Sequence, residues 1–171
     1  IASLKKAAKE NQLEIIYYLL SKENQITDGC FKGCKELKEI LFNQEELLAK
    51  DSLIIDSNVF KGCEKLQRFV FPANCKKEIG ESCFEGCKSL ESVTLPSGMT
   101  YISKSMFKGC QSLTTINLDQ TITMIEANAF ENCQKLQIEN LPEHLVKIGD
   151  NAFKKCISLV IKEMPSKLEE I

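Results

Sequence analysis

The stretch IGESCFEGCKSLESVTLP, running from Ile79 to Pro96, decides how this chain folds. Its centre, F-x-G-C-x-x-L, returns six times. The phenylalanines are Phe31, Phe60, Phe84, Phe107, Phe130 and Phe153. The cysteines are Cys34, Cys63, Cys87, Cys110, Cys133 and Cys156, and the leucines are Leu37, Leu66, Leu90, Leu113, Leu136 and Leu159. An isoleucine stands five residues before each Phe: Ile26, Ile55, Ile79, Ile102, Ile125 and Ile148. Successive phenylalanines lie 29, 24, 23, 23 and 23 residues apart. A fixed period of this length marks a solenoid, in which one unit cannot bury its apolar face alone and stacked neighbours bury it together. The first interval carries six extra residues within Asn43–Ile54, where Gln44–Lys50 (QEELLAK) can make a short helical turn.

Outward from the leucine, Leu90-Glu-Ser-Val-Thr-Leu-Pro96 alternates apolar and polar residues, the two-residue period of a strand with one buried face. All four prolines, Pro72, Pro96, Pro142 and Pro165, follow this strand, and Asn43 and Asp119 take the same slot in the other units. Proline cannot donate to a ladder, so it ends the strand there. Gly33, Gly62, Gly86, Gly109 and Asn132 share a slot that tolerates positive φ and should turn the chain. Lys155 breaks that slot and puts the turn of the last unit in question. The expected architecture is a parallel β-sheet on one face and short helical or irregular turns, carrying the Phe, on the opposite convex face.

The repeat I-x-x-x-A/small-F-x-G-C-x-x-L-x-x-I-x-L-P resembles the BspA-like, or treponemal-type, leucine-rich repeats, with Ile79–Leu90 and Ile148–Leu159 as near-consensus copies. The resemblance implies a leucine-rich-repeat solenoid over residues 26–171. It also implies a role in binding, since such repeats serve bacterial and parasite surface proteins in adhesion.

Residues 1–25 fall outside the repeat. Ala7–Ile16 (AAKENQLEII) resembles the core of an ankyrin repeat and suggests two short antiparallel helices, with Leu13, Ile16, Tyr17 and Leu20 on one face. They read as a helical cap on the first unit, or as the last unit of an upstream ankyrin array. At the other end, Leu168 and Ile171 begin a seventh unit. Such an end leaves strand edge and core to be covered by further chain or another molecule.

Charge and composition exclude several functions. The 22 basic and 24 acidic residues leave a net charge of −2, no footprint for nucleic acid. No apolar run is long enough to span a bilayer, and no Asn-x-Ser/Thr sequon is present. Nucleophile elbow, phosphate loop and H-E-x-x-H motifs are all missing, so the chain reads as a non-enzyme without cofactor. The single histidine, His144, lies in a turn after Pro142. The Cys30/Cys34 and Cys83/Cys87 spacings lack a second ligand pair for zinc. The six repeat cysteines read as a ladder of buried, reduced thiols acting as small hydrophobes. Cys30 and Cys83 read as apolar packing, and Cys75, outside the pattern, as the thiol most open to reaction.

The function to expect is protein binding on the strand face, through Arg68, Val70, Ser92, Thr94, Thr115 and Asn117, with Ile138, Asn140, Ile161 and Glu163 as candidates further along. This mixed, mildly apolar set suits a protein partner. Cell-surface adhesion follows from the resemblance, while an intracellular scaffold or regulatory subunit follows from the thiols, which last best in a reducing compartment. One break in the pattern remains. At the buried strand slot, Ile40, Phe69, Val93 and Ile116 give way to Glu139 and Lys162. Burying two charges costs several kcal/mol each, so the register should shift by one residue, turning Ile138 and Ile161 inward and leaving the charges in solvent.

Overall fold

The computed structural model describes Lys6, Glu10 and residues 25–42, 53–72 and 75–171. Apart from Lys6 and Glu10, the expected helix pair over residues 1–20 lies outside the described residues, as does the turn at Gln44–Lys50. From Gln25 onward the described residues contain strands and turns and no helix.

Among the described residues nine short strands form in chain order: β1 (Gln25–Ile26), β2 (Leu53–Ile55), β3 (Arg68–Val70), β4 (Cys75–Ile79), β5 (Ser92–Thr94), β6 (Tyr101–Ile102), β7 (Thr115–Ile116), β8 (Met124–Ile125) and β9 (Lys147–Ile148). All pairings are parallel. The expected sheet after the leucines is β3-β5-β7. A second strand position was not expected. The isoleucine slot pairs Ile26 with Ile55 and Ile79 in β1-β2-β4, and Ile102 with Ile125 and Ile148 in β6-β8-β9. A two-residue strand is too short to show a period, which is why alternation picked out one sheet only.

The core is the stack of repeat ladders. Ring centroids from Phe31 to Phe153 follow one another at 5.3–5.6 Å with planes within 16° of parallel. Phe69 packs edge-on or tilted against Phe42, Phe60, Phe71 and Phe84, so all nine phenylalanines of the chain join one cluster. Phe31, Phe60, Phe84, Phe107 and Phe130 are fully buried, as are the repeat leucines Leu37, Leu66, Leu90, Leu113 and Leu136. In the sixth unit Phe153, Cys156 and Leu159 are only half-buried.

The convex arc is not a loose set of turns. In every unit up to Phe130, three backbone N–H groups donate to the next coil. From the second unit these are Asn58 to Glu81, Phe60 to Cys83 and Gly62 to Glu85, at 2.7–2.9 Å. The same trio recurs from Gly29, Ser82, Ser105 and Asn128 onward. Two left-handed residues per unit bend the chain to allow it. One is the expected slot, with Gly33, Gly62, Gly86 and Gly109 at φ of 73° to 76°, Asn132 at 63° and Lys155 at 62°. Lys155 therefore keeps the turn despite its Cβ. The other lies two residues before the Phe, at Gly29, Asn58, Ser82, Ser105, Asn128 and Asn151, with φ of 55° to 60°.

Candidate binding face

Strands β3, β5 and β7 align Arg68 with Ser92 and Thr115, Phe69 with Val93 and Ile116, and Val70 with Thr94. Alternation then sorts the side chains. Phe69 and Val93 are buried, while Arg68, Val70, Thr94 and Thr115 are exposed and Ser92 is half-buried. Five of the expected residues thus share one continuous face. Asn117 is exposed, but its Oδ1 accepts a hydrogen bond from Leu95 N at 2.9 Å. That amide ties two neighbouring strand ends together as well as facing solvent.

Asn140 and Glu163 extend the row through an isolated parallel bridge, and both are exposed. Here the register moves as expected. Ile138 is buried and Ile161 packs half-buried against the core. Glu139 and Lys162 are exposed and meet at 2.6 Å. The Lys162 ammonium lowers the Glu139 carboxyl pKa by hydrogen bonding and then by charge. An ion pair this open to water adds little stability. What decides the register is keeping two charges out of the core and two isoleucines in it. Beside this end of the face lies a polar hollow of about 610 Å³, lined by Gln120, Asn140, Glu143, His144, Glu163 and Lys167 among others. His144 is an exposed turn residue, as expected, with Nδ1 3.4 Å from Lys167 Nζ.

The cysteines do more than fill space. Each thiol from Cys63 onward donates to the carbonyl of the Phe one coil earlier: Cys63 to Phe31, Cys87 to Phe60, Cys110 to Phe84, Cys133 to Phe107 and Cys156 to Phe130, at 3.0–3.2 Å. The slot needs a small apolar group that is also a weak donor, which leucine is not. Desolvation raises the pKa of the Cys63, Cys83, Cys87, Cys110 and Cys133 thiols far above the usual range. Cys30 and Cys83 are buried, in keeping with apolar packing.

Two expectations about thiols are corrected. Cys75 is not the open one. It begins β4 opposite Leu53, where β2 and β4 slip register, and its side chain enters the core. Burial pushes its pKa up to about 12. Cys156, in the half-covered last unit, is the more exposed thiol, so not all six ladder cysteines are buried. Among the described residues no three His, Cys, Asp or Glu side chains gather closely enough to hold a metal ion.

Charges on the arc were read as scattered, yet they form ladders of alternating sign. The slot after the repeat Phe runs Lys32, Lys61, Glu85, Lys108, Glu131, Lys154, with Lys61–Glu85 at 2.8 Å and Lys108–Glu131 at 2.7 Å. The slot after the repeat Cys begins Lys35, Glu64, Lys88, and Glu64 bridges both lysines at 3.1 and 3.2 Å. Writing each charge at its place in the repeat would have shown this.

The chain compares with known proteins as follows. The BspA type leucine rich repeat region matches residues 5–52 and 53–171, in six copies. No curated protein matches. Among solved structures, a leucine rich cell surface protein from Faecalibacterium prausnitzii is 29% identical with a TM-score of 0.66, covering 82% of this chain and 36% of its own. The leucine rich repeat protein of T. pallidum is 26% identical with a TM-score of 0.72, covering 85% of this chain and 65% of its own. A leucine-rich repeat protein from Eubacterium ventriosum, 24% identical with a TM-score of 0.71 over 86% of this chain and 38% of its own, shares the fold. This chain thus spans between about a third and two thirds of the length of these structures. With its ladders, its parallel strands and this match over nearly its whole length, the chain belongs to the BspA-type leucine-rich repeat family.

Proposed function

We propose that the chain is a non-enzymatic protein-binding module whose contact surface is the strand face, displayed at a cell surface for adhesion or host contact. In this reading residues 1–25 cap the array formed by residues 26–171. The observation that carries the reading is the contrast between two faces. On the arc, lysines and glutamates neutralise one another from coil to coil. On the strand face, Arg68, Val70, Thr94 and Thr115 stand exposed, and no ion pair is made among them. A mixed, unneutralised surface on a rigid sheet suits a protein partner, which gains from apolar contact and directed hydrogen bonds without first breaking salt bridges. The similarity to a cell surface protein supports the location. The intracellular alternative rested on the ankyrin-like start, which lies almost wholly outside the described residues, and on the thiols. Most of them are buried and hard to ionise, so they would persist outside a reducing compartment too, and the surface reading is preferred.

The test is capture of partners by the full-length protein, coupled to labelling of intact cells with an impermeant reagent. The double substitution Arg68→Glu with Thr94→Glu should abolish capture while leaving the fold intact. The reading is wrong if capture survives that change but is lost on substitution of Lys61 and Lys108 on the arc.

A further inference from the structure

The strand face is not uniform along its length. Its outward row reads Leu41, Val70, Thr94, Asn117, Asn140, Glu163, apolar only in its first two places. Leu41 and Val70 are 57% and 59% exposed, whereas the other large apolar side chains described before Val146 are buried or half-buried. The sheet also opens between them. Gln67 N donates to Lys38 O, but beyond that bond no backbone hydrogen bond among the described residues joins 39–42 to 68–71, whereas β3 and β5 pair at three positions. The opening leaves a cleft of about 120 Å³, lined by Glu39, Ile40, Leu41, Phe42, Arg68 and Val70, room for one aliphatic side chain.

Arg68 stands at the rim of this cleft. It is the only arginine of the chain. Many lysines sit in intercoil ion pairs, but among the described residues Arg68 makes none. Glu39, in the equivalent slot of the preceding coil, faces the same cleft without closing a pair with it. A guanidinium offers a planar fork that matches a carboxylate, and arginine beside apolar contact area is the usual make-up of an energetic centre in an interface. The geometry points to this cleft as the docking point for an extended segment of a partner protein that carries an aliphatic side chain next to a carboxylate. The aliphatic group fills the cleft over Ile40 and Phe42, and the carboxylate pairs with Arg68. Glu39 opposes that carboxylate and sets the fit. The inference rests on the strand face being the binding surface and names what its first two coils select.

The test uses the full chain and three fluorescent synthetic peptides of equal length, alternating leucine with aspartate, leucine with asparagine, and serine with aspartate. By anisotropy, the leucine–aspartate peptide should bind at least about tenfold tighter than the other two. Arg68→Gln should erase its advantage over the asparagine peptide. Val70→Glu should erase its advantage over the serine peptide, and Glu39→Gln should tighten it. Arg68 and Val70 are exposed and Glu39 is half-buried, so the three variants should keep the wild-type circular dichroism. Equal binding of all three peptides, or an aspartate preference that survives Arg68→Gln, overturns the inference. If the peptides fail while Thr94→Glu still abolishes capture of the cellular partner, the strand-face reading stands and the docking cleft alone falls. If Thr94→Glu is also without effect, both fall.

Discussion

Replacing Phe107 with alanine tests the stack at its centre. The ring is fully buried and lies 5.6 Å from Phe84 and 5.5 Å from Phe130, nearly parallel to both. Removing a buried Phe costs roughly 3–5 kcal/mol, the lost transfer energy plus the cavity left behind. Two stacked pairs account for about 1–3 kcal/mol of that, at roughly 0.5–1.5 each. The neighbours cannot close the gap, because backbone bonds from Phe84 to Met106 and from Phe107 to Ala129 hold the coils at fixed spacing. Phe153 is the internal control. It is half-buried and meets one repeat ring, Phe130 at 5.4 Å. Phe153→Ala should therefore cost about 1–2 kcal/mol, roughly half the central value. Urea denaturation followed by circular dichroism measures both. A central loss below about 1 kcal/mol, or equal losses at the two sites, would refute the reasoning, since burial and ring contacts could not then be setting the energy.

Three further outcomes are expected. Lys155 holds φ at 62° with a side chain that opposes that conformation, so Lys155→Gly should raise stability by about 1 kcal/mol in the same denaturation assay. A thiol titration of the native protein should label Cys156 first, ahead of the buried Cys75, Cys110 and Cys133; early labelling of Cys110 would mean that the ladder opens. Burial raises the Cys83, Cys87, Cys110 and Cys133 thiols above their ordinary range, so the fold keeps protons that the unfolded chain releases above about pH 8.5. Stability is then complete below that pH and falls above it by about 1.4 kcal/mol per thiol per pH unit. Comparing denaturation midpoints at pH 8 and pH 10, Cys110→Ala should lose less than the wild type, and an equal loss would remove that thiol from the account.

What could be read ahead of the structure was what repeats. The Phe, Cys, Leu and Ile ladders follow from one spacing, because a solenoid places equivalent residues on top of one another. The register shift at Ile138 and Ile161 was legible because burying Glu139 and Lys162 is so costly. The second strand position was not legible, since two residues such as Lys147–Ile148 carry no period. The left-handed slot at Asn58, Ser82 and Ser105 was hidden by its serines, which are not the usual sign of positive φ. Cys75 was misplaced because it falls outside the repeat pattern, whereas a register slip between β2 and β4 carries it into the sheet. Of the candidate face, which residues point outward was legible. The cleft beside Arg68 depends on where two coils fail to pair, which spacing alone does not reveal.

The central claim is that partners bind the strand face. Hydrogen exchange of the full chain, with and without its captured partner, tests it most directly. The account predicts added protection along Arg68–Val70, Ser92–Thr94 and Thr115–Asn117, with the arc residues Lys61, Glu85 and Lys108 unchanged. Protection confined to the arc, with the strands unaffected, would contradict it.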